Sequence, residues 1–258
     1  MTRRDETVTG GPDGVFRTTV WADLEAMRGN DEALKKLVIE NLLCRYWKPV
    51  YCYLRRKGYD NESAKDLTQA FFHEIVLEKG MLAKAERAKG KFRSFLLASL
   101  ENYAAGAHQK ETAKKRSPSR PVARFSELVD DQCVQIPVTE TPDAIFLRTW
   151  VSDLLGTVLD EVERDCRDNG QVIHWVMFEG RVLRPILEGG EPAPLDELCR
   201  SCGISDKTQA TNMIVTVKRR FKRLLEQHLR RQVGSDTAVE GEIDELIEIL
   251  STGSAGST

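Results

Sequence analysis

The sequence lacks the long apolar segments and regular cysteine patterns that mark two large classes of protein. No apolar run reaches the roughly 18 to 20 residues of a membrane-spanning helix, and no signal-peptide core follows residues 1–6. The six cysteines have no dense, regular spacing, which argues against a disulfide scaffold. We therefore expect a cytoplasmic protein with no membrane partner.

Residue sets typical of enzymes and metal sites are also missing. The sequence shows no Ser-His-Asp set, no Gly-rich phosphate loop and no paired catalytic carboxylates. Cys199 and Cys202 form a Cys-x-x-Cys, but a structural zinc site needs four ligands, and no second Cys or His pair stands at suitable spacing. We expect no catalytic activity, no metal and no cofactor.

Charge is distributed unevenly along the chain, although the net charge is only -2. Between Lys110 and Arg124 six basic residues face one acid, and between Lys207 and Arg231 eight face one. Such basic blocks suit contact with phosphates. The acidic residues after position 234, with no Lys or Arg among them, are Asp236, Glu240, Glu242, Asp244, Glu245 and Glu248.

Apolar residues recur at steps of three and four, and no alternation typical of strands is visible, so we predict an all-α protein. Residues 1–15 are polar and Gly-rich, and residues 117–142 are rich in proline without an apolar period. The predicted organisation is a flexible arm (1–15), a first helical domain (16–116), a flexible linker (117–142), a second helical domain (143–233) and an acidic tail (234–258). Pro49 predicts a kink or a new first turn.

Two segments predict surfaces that face a partner. In residues 64–75 the apolar side chains share one helix face, which leaves Asp66, Gln69 and His73 on a second, polar face. Residues 195–205 (LDELCRSCGIS) are typical of the first helix and turn of a helix-turn-helix, and Ser205 or Asp206 should cap the helix that follows. The predicted buried stripe of that second helix comprises Ala210, Ile214, Val217, Phe221 and Leu224.

Several segments resemble the sigma-70 family of RNA polymerase sigma factors, in particular the extracytoplasmic-function type of planctomycete bacteria. In the first half they are 45–51 (RYWKPVY), 54–58 (LRRKG), 64–72 (AKDLTQAFF) and 90–96 (GKFRSFL). Residues 195–225 are similar to the helix-turn-helix of the region-four domain. The resemblance covers roughly residues 20–232 and implies a region-two domain and a region-four domain.

The resemblance implies three binding surfaces. Asp66 and Gln69, with His73 beside them, would meet the clamp helices of the largest subunit of core RNA polymerase. Unpaired bases of the -10 element need aromatic platforms flanked by cations. The residues expected at that element are Lys91, Arg93, Asn102, Tyr103, His108, Lys110, Lys114, Lys115 and Arg116, whereas Phe92 and Phe95 are assigned to the core.

The helix that follows residues 195–205 is expected to read the -35 element in the major groove. Gln209 and Asn212 could pair with adenine in bidentate fashion, and the basic residues would touch phosphates. The residues expected there are Lys207, Thr208, Gln209, Thr211, Asn212, Lys218, Arg219, Lys222 and Arg223.

These expectations define an alternative sigma factor that binds core polymerase and promoter DNA, with an anti-sigma protein or a kinase as a regulatory partner. A sigma-like adaptor or anti-sigma-type protein, which binds polymerase without opening DNA, is the main alternative. It is favoured by the weakly basic sequence around Gly106. A helix-turn-helix repressor is a third interpretation, but it gives Asp66 and Gln69 no role. The acidic tail is expected to fold back on the basic helix of the second domain as an inhibitory lid.

Overall fold

The computed structural model describes residues 32–73, 91–113, 140–233 and 236–254. Within these ranges the regular structure is helical and contains no strand, which confirms the predicted all-α class. The helices are α1 (Glu32–Arg56), α2 (Asn61–Phe71), α3 (Phe92–Ala113), α4 (Pro142–Asp168), α5 (Val172–Phe178), α6 (Arg184–Glu188), α7 (Leu195–Ser201), α8 (Lys207–Val233) and α9 (Asp236–Ser254). A π-helical segment, Glu179–Leu183, joins α5 to α6. None of the helices in these ranges has the length and apolar character needed to cross a membrane.

Helix α1 continues through Pro49, so this residue does not begin a new helix as one reading of the sequence predicted. The side chains that follow it, Val50, Tyr53 and Leu54, are completely buried. Most of the stability of a helix in a protein comes from packing of its apolar face, and this packing offsets the hydrogen bond that proline cannot donate.

Helix α4 is the centre of the described fold, because it packs along α1 and also contacts α8 and α9. The Tyr46 ring of α1 stacks on Phe146 of α4, with ring centroids 6.5 Å apart, and meets the edge of Phe92 of α3 at 5.5 Å. Lys48 and Asp153 form an ion pair at 3.3 Å between α1 and α4. Helices from both sides of the predicted linker therefore share one core, while linker residues 117–139 and the predicted arm, 1–15, lie outside the described residues.

Polar contacts fix the position of α8 against the carboxyl-terminal half of α4. Arg220 of α8 pairs with Asp165 at 3.0 Å and donates to Gln171 Oε1 at 2.7 Å. Further along, one ring nitrogen of His228 lies 2.7 Å from a carboxylate oxygen of Glu161. Since His228 is buried and Arg220 mostly so, these bonds hold one face of α8 against α4 and leave the opposite face outward.

Candidate nucleic-acid interface

Helices α7 and α8 are joined by the short turn 202–206. Gly203 has φ of +69°, in the left-handed region that glycine enters at little cost, and Ile204 N donates to Cys199 O at 2.8 Å to close the turn. Cys199 is buried and Cys202 is half-buried. Across the described part of the chain no group of His, Cys, Asp or Glu has an arrangement that could hold a metal ion. The Cys-x-x-Cys is thus part of the helix packing at this turn.

A close approach between α7 and the π-helical segment sets the position of α7. A Cβ atom placed on Gly180 would lie 2.9 Å from Leu198 Cδ2, so a side chain there would push Leu198 away. Arg181 Nη1 donates to Ala193 O at 2.7 Å and ties the segment before α7 to the same π-helical segment. The helical path continues through Gly180, and this glycine has a packing role against Leu198.

The first turn of α8 is capped by Asp206, one of the two residues that the sequence left open. Its Oδ1 accepts a hydrogen bond from Thr208 N at 2.8 Å. Lys207 Nζ lies 2.6 Å from Asp196 Oδ1 of α7, and this hydrogen bond raises the pKa of Lys207. Both side chains of that ion pair are mostly exposed, so it is weak and can be exchanged for another anion.

The outward face of α8 carries every residue that the sequence assigned to the -35 element. Each is exposed: Lys207, Thr208, Gln209, Thr211, Asn212, Lys218, Arg219, Lys222 and Arg223. At about 100° per residue they occupy roughly half of the helix circumference, with Gln209 at one edge. On the opposite side Ala210, Ile214 and Val217 are buried, as the predicted stripe requires.

Few carboxylates compete for the cations of this face. Lys222 lies 3.8 Å from Glu226 and Arg223 lies 3.7 Å from Asp165, and both basic side chains remain largely exposed. Neither Lys218 nor Arg219 forms an ion pair with a residue that the structure describes. Exposed ion pairs contribute little, so this face can exchange its carboxylates for phosphates.

The polar face of α2 is also accessible. Asp66 and His73 are exposed and Gln69 is half-buried, while Ala64 and Phe71 are completely buried. The buried stripe also includes Thr68, whose hydroxyl donates to Ala64 O at 2.7 Å.

The start of α2 is fixed by an N-cap. Asp60 Oδ1 accepts a hydrogen bond from Ser63 N at 2.8 Å, and this bond lowers the pKa of Asp60. The exposed Asp66 side chain thus projects from a helix that is held at its first turn.

The amino-terminal end of α3 has a different environment from the one the sequence predicted. Arg93, which the sequence assigned to the -10 element, has a side chain only 3% exposed. Its Nη1 lies 2.7 Å from Glu242 Oε2 and its Nη2 lies 2.6 Å from Glu245 Oε2, both on α9. Lys91 Nζ lies 2.6 Å from Glu242 Oε1 and also pairs with Glu245. In this arrangement both cations form ion pairs with carboxylates of the acidic tail.

Burial and charge both act on these groups. Burial disfavours the charged form of Arg93, but Glu242 and Glu245 more than offset it, so the pKa of Arg93 lies above its ordinary value. Burial also acts to raise the pKa of Glu245, yet hydrogen bonds from Lys91 and Arg93 lower it more. The guanidinium carbon of Arg93 lies 4.5 Å from the centroid of the Trp150 ring, a cation–π contact from the side of α4.

Of the remaining residues assigned to the -10 element, the structure describes the side chains of Asn102 and Tyr103, and these two differ in exposure. Asn102 is exposed, but its amide donates to Ala98 O of the same helix at 2.9 Å. Tyr103 is half-buried and its ring meets the edge of Phe71 at 5.4 Å. Phe92 lies in the core as expected. The side chains of His108 and Lys110, and residues Lys114, Lys115 and Arg116, lie outside the described part of the chain.

The pattern of the sequence did not predict that Glu242, Glu245 and Trp150 contact Arg93. Apolar residues recur at helical spacing in the tail at Ile243, Leu246, Ile247 and Leu250, but Ile247 is 57% exposed. Among the side chains of the tail that the structure describes, the buried ones are Val239, Glu242 and Leu246. These residues are three and four positions apart, so they share one face of a helix. An acidic residue on such a face was the feature of the sequence that could have indicated a buried charge.

Comparisons of the chain with protein-family models, with curated proteins and with solved structures found no match. The likeness to sigma factors therefore depends on the segments quoted above.

Proposed function

We propose that this protein is an alternative sigma factor that binds core RNA polymerase and directs promoter-specific initiation, without enzymatic activity of its own. The polar face of α2 binds the clamp helices of the largest polymerase subunit. The outward face of α8 reads the -35 element, and α3 contacts the -10 element. Regulation by an anti-sigma protein or a kinase belongs to the same proposal.

The observation that carries the proposal is the outward face of α8. A helix-turn-helix places the amino-terminal end of its second helix against base edges, and that end here carries Gln209 and Asn212. The cations follow one to four turns later along the helix, where they can contact phosphates on either side of the groove. All of these side chains are exposed in this fold, so binding requires no rearrangement of α8 itself.

The α2 face supports the polymerase part of the proposal. Asp66 and Gln69 lie one turn apart, where a carboxylate and an amide can accept and donate hydrogen bonds across a polar interface. Their helix is held by the N-cap at Asp60 and by buried Phe71. A repressor would need the α8 face but would have no use for this second one.

The test is transcription from a genomic promoter library by core polymerase with the protein added. We expect specific start sites with the wild-type chain and their loss with the Asp66→Ala, Gln69→Ala double variant, because polymerase binding is lost. Glu62→Ala is the matched control, since Glu62 is an acidic residue of the same helix and its side chain is 82% exposed. Loss of start sites in the control as well would contradict a specific role for Asp66 and Gln69.

A sigma-like adaptor or anti-sigma-type protein is the second candidate, and one observation favours it. The cations at the start of α3 are held by Glu242 and Glu245, so in this conformation two of the cations assigned to the -10 element are paired with carboxylates of the same chain. An adaptor would bind core polymerase through Asp66 and Gln69 but give no start sites in the library experiment. Direct measurement of polymerase binding separates the two functions.

A further inference from the structure

Helix α9 contacts the basic start of α3 through negatively charged side chains. In this charge pattern it resembles the backbone of a nucleic acid. The Glu242 side chain is 1% exposed and contacts both Lys91 and Arg93, and Glu245 contacts the same two cations. Carboxylate and phosphate oxygens are the two anions that the arginine fork binds best. The sequence predicted that the tail would lie on α8. Helix α9 does contact α8, but Glu242 and Glu245 bind the start of α3.

The cations under α9 are not fully used by it. At least one donor of the Arg93 fork, the Nε atom, is buried without a hydrogen-bond partner. Lys91 is still 37% exposed, so a solvent path reaches this site.

The apolar packing of α9 combines a few buried side chains with the partly buried Ile243 and Ile249. Among its described side chains only two apolar ones, Val239 and Leu246, are buried, and Ile247 and Leu250 remain exposed. Gly241 lies in its second turn, where a Cβ atom would meet nothing within 4 Å. Glycine in a helix interior weakens the helix, and here no close packing requires it.

From this geometry we infer that α9 is a detachable internal mask, whose Glu242 and Glu245 hold Lys91 and Arg93 in place of the phosphates of DNA. Release of α9 exposes the two cations to the DNA backbone. The apparent affinity for DNA is then the affinity of the unmasked site multiplied by the fraction of molecules in which α9 is released. The inference rests on the proposed function, since it makes the start of α3 a DNA-binding surface.

The first experiment measures binding of a fluorescein-labelled oligothymidylate by fluorescence anisotropy. We expect Glu242→Gln, Glu245→Gln to bind at least about tenfold more tightly than the wild type, because the carboxylates no longer hold α9. The matched control is Glu240→Gln, Asp244→Asn, which removes the same charge from two exposed positions of α9 and should bind like the wild type. Gly241→Ala should bind more weakly than the wild type, because it strengthens the mask.

A second measurement, made without DNA, reports how often α9 is released. The acetylation rate of Lys91, followed by mass spectrometry, should rise in Glu242→Gln, Glu245→Gln and fall in Gly241→Ala. If the double variant does not fold by circular dichroism, the single variant Glu245→Gln replaces it, and Gly241→Ala still tests the opposite direction. Unchanged DNA affinity in the double variant or in its single replacement would overturn the mask, whether or not Lys91 becomes reactive.

The proposed function is tested by a separate experiment. Loss of start sites and of polymerase binding in Asp66→Ala, Gln69→Ala tests the sigma assignment with α9 intact. If the wild-type protein does not bind polymerase but the Glu242→Gln, Glu245→Gln variant binds the oligonucleotide more tightly, the mask stands and the sigma assignment falls. If polymerase binding is normal and unmasking changes nothing, the mask falls and the sigma assignment stands.

Discussion

The outward face of α8 and the start of α3 have similar side chains in opposite surroundings. On α8, Lys218 and Arg219 are exposed, and the acids near Lys222 and Arg223 form only weak surface pairs. At the start of α3, Arg93 is buried beneath Glu242 and Glu245, which also hold Lys91. A basic run in a sequence therefore does not define an available DNA-binding surface, because the position of the acids in the fold decides which cations can reach a phosphate.

The largest effect on stability is expected at the covered surface. Arg93→Ala removes the main partner of the buried Glu242 carboxylate, and loss of one member of a buried pair costs about 3–5 kcal/mol. We expect a loss of about 2 kcal/mol in the free energy of unfolding, because Lys91 still contacts Glu242. Urea denaturation measures it. The control, Arg219→Ala on the exposed face, should change stability by less than about 0.5 kcal/mol, and equal losses in the two variants would contradict the comparison.

The open face should separate sequence reading from phosphate contact. Asn212→Ala is expected to cost about 1–2 kcal/mol of binding for the preferred -35 sequence and little for others, since it removes a base contact. Lys218→Ala should weaken binding to all sequences and lower the salt slope by about 1. Titrations of matched and scrambled duplexes at several salt concentrations measure both. A uniform loss in Asn212→Ala would assign it to the backbone and change the proposed register.

The cap of α8 gives a smaller effect that tests how the open face is positioned. Asp206→Ala removes the side-chain acceptor of Thr208 N and should lower the free energy of unfolding by about 1 kcal/mol. Ser205→Ala is the control, because the structure assigns the cap to Asp206. Urea denaturation of the two variants decides between these neighbours, and a larger loss in Ser205→Ala would contradict the assignment.

The smallest effect is a dependence of the mask on pH. The folded pKa of Glu245 is lowered, so its ionised form stabilises the docked α9 above the unfolded pKa of about 4.3, and this contribution is lost as pH falls through the folded pKa. Glu242, Lys91 and Arg93 are the charged groups that surround it. Hydrogen exchange of the α9 amides, corrected for intrinsic rates, should speed up between about pH 5 and pH 3. The Glu245→Gln variant should show a weaker dependence, and an equal one would contradict the role of Glu245.

The sequence by itself determined the features that depend on neighbours along the chain. The all-α class follows from apolar spacing, and so do the buried stripe of α8 and the exposed positions opposite it. The polar face of α2 follows in the same way, because residues three and four apart share a helix face. The exposed positions of the -35 surface were therefore predictable residue by residue, as were the exposed Asp66 and His73 of the polymerase surface, whereas Gln69 is half-buried; the function of both surfaces remains a prediction.

Only the tertiary structure decided the contacts between segments far apart in the sequence. Arg93 and Glu242 are separated by 149 positions, and no helical period connects them. Continuity of α1 through Pro49, the close approach of Gly180 to Leu198, and the docking of α4 on α1 likewise depend on packing partners supplied by distant residues. A buried charge is tolerated only where an opposite charge meets it, and that meeting is a property of the folded chain.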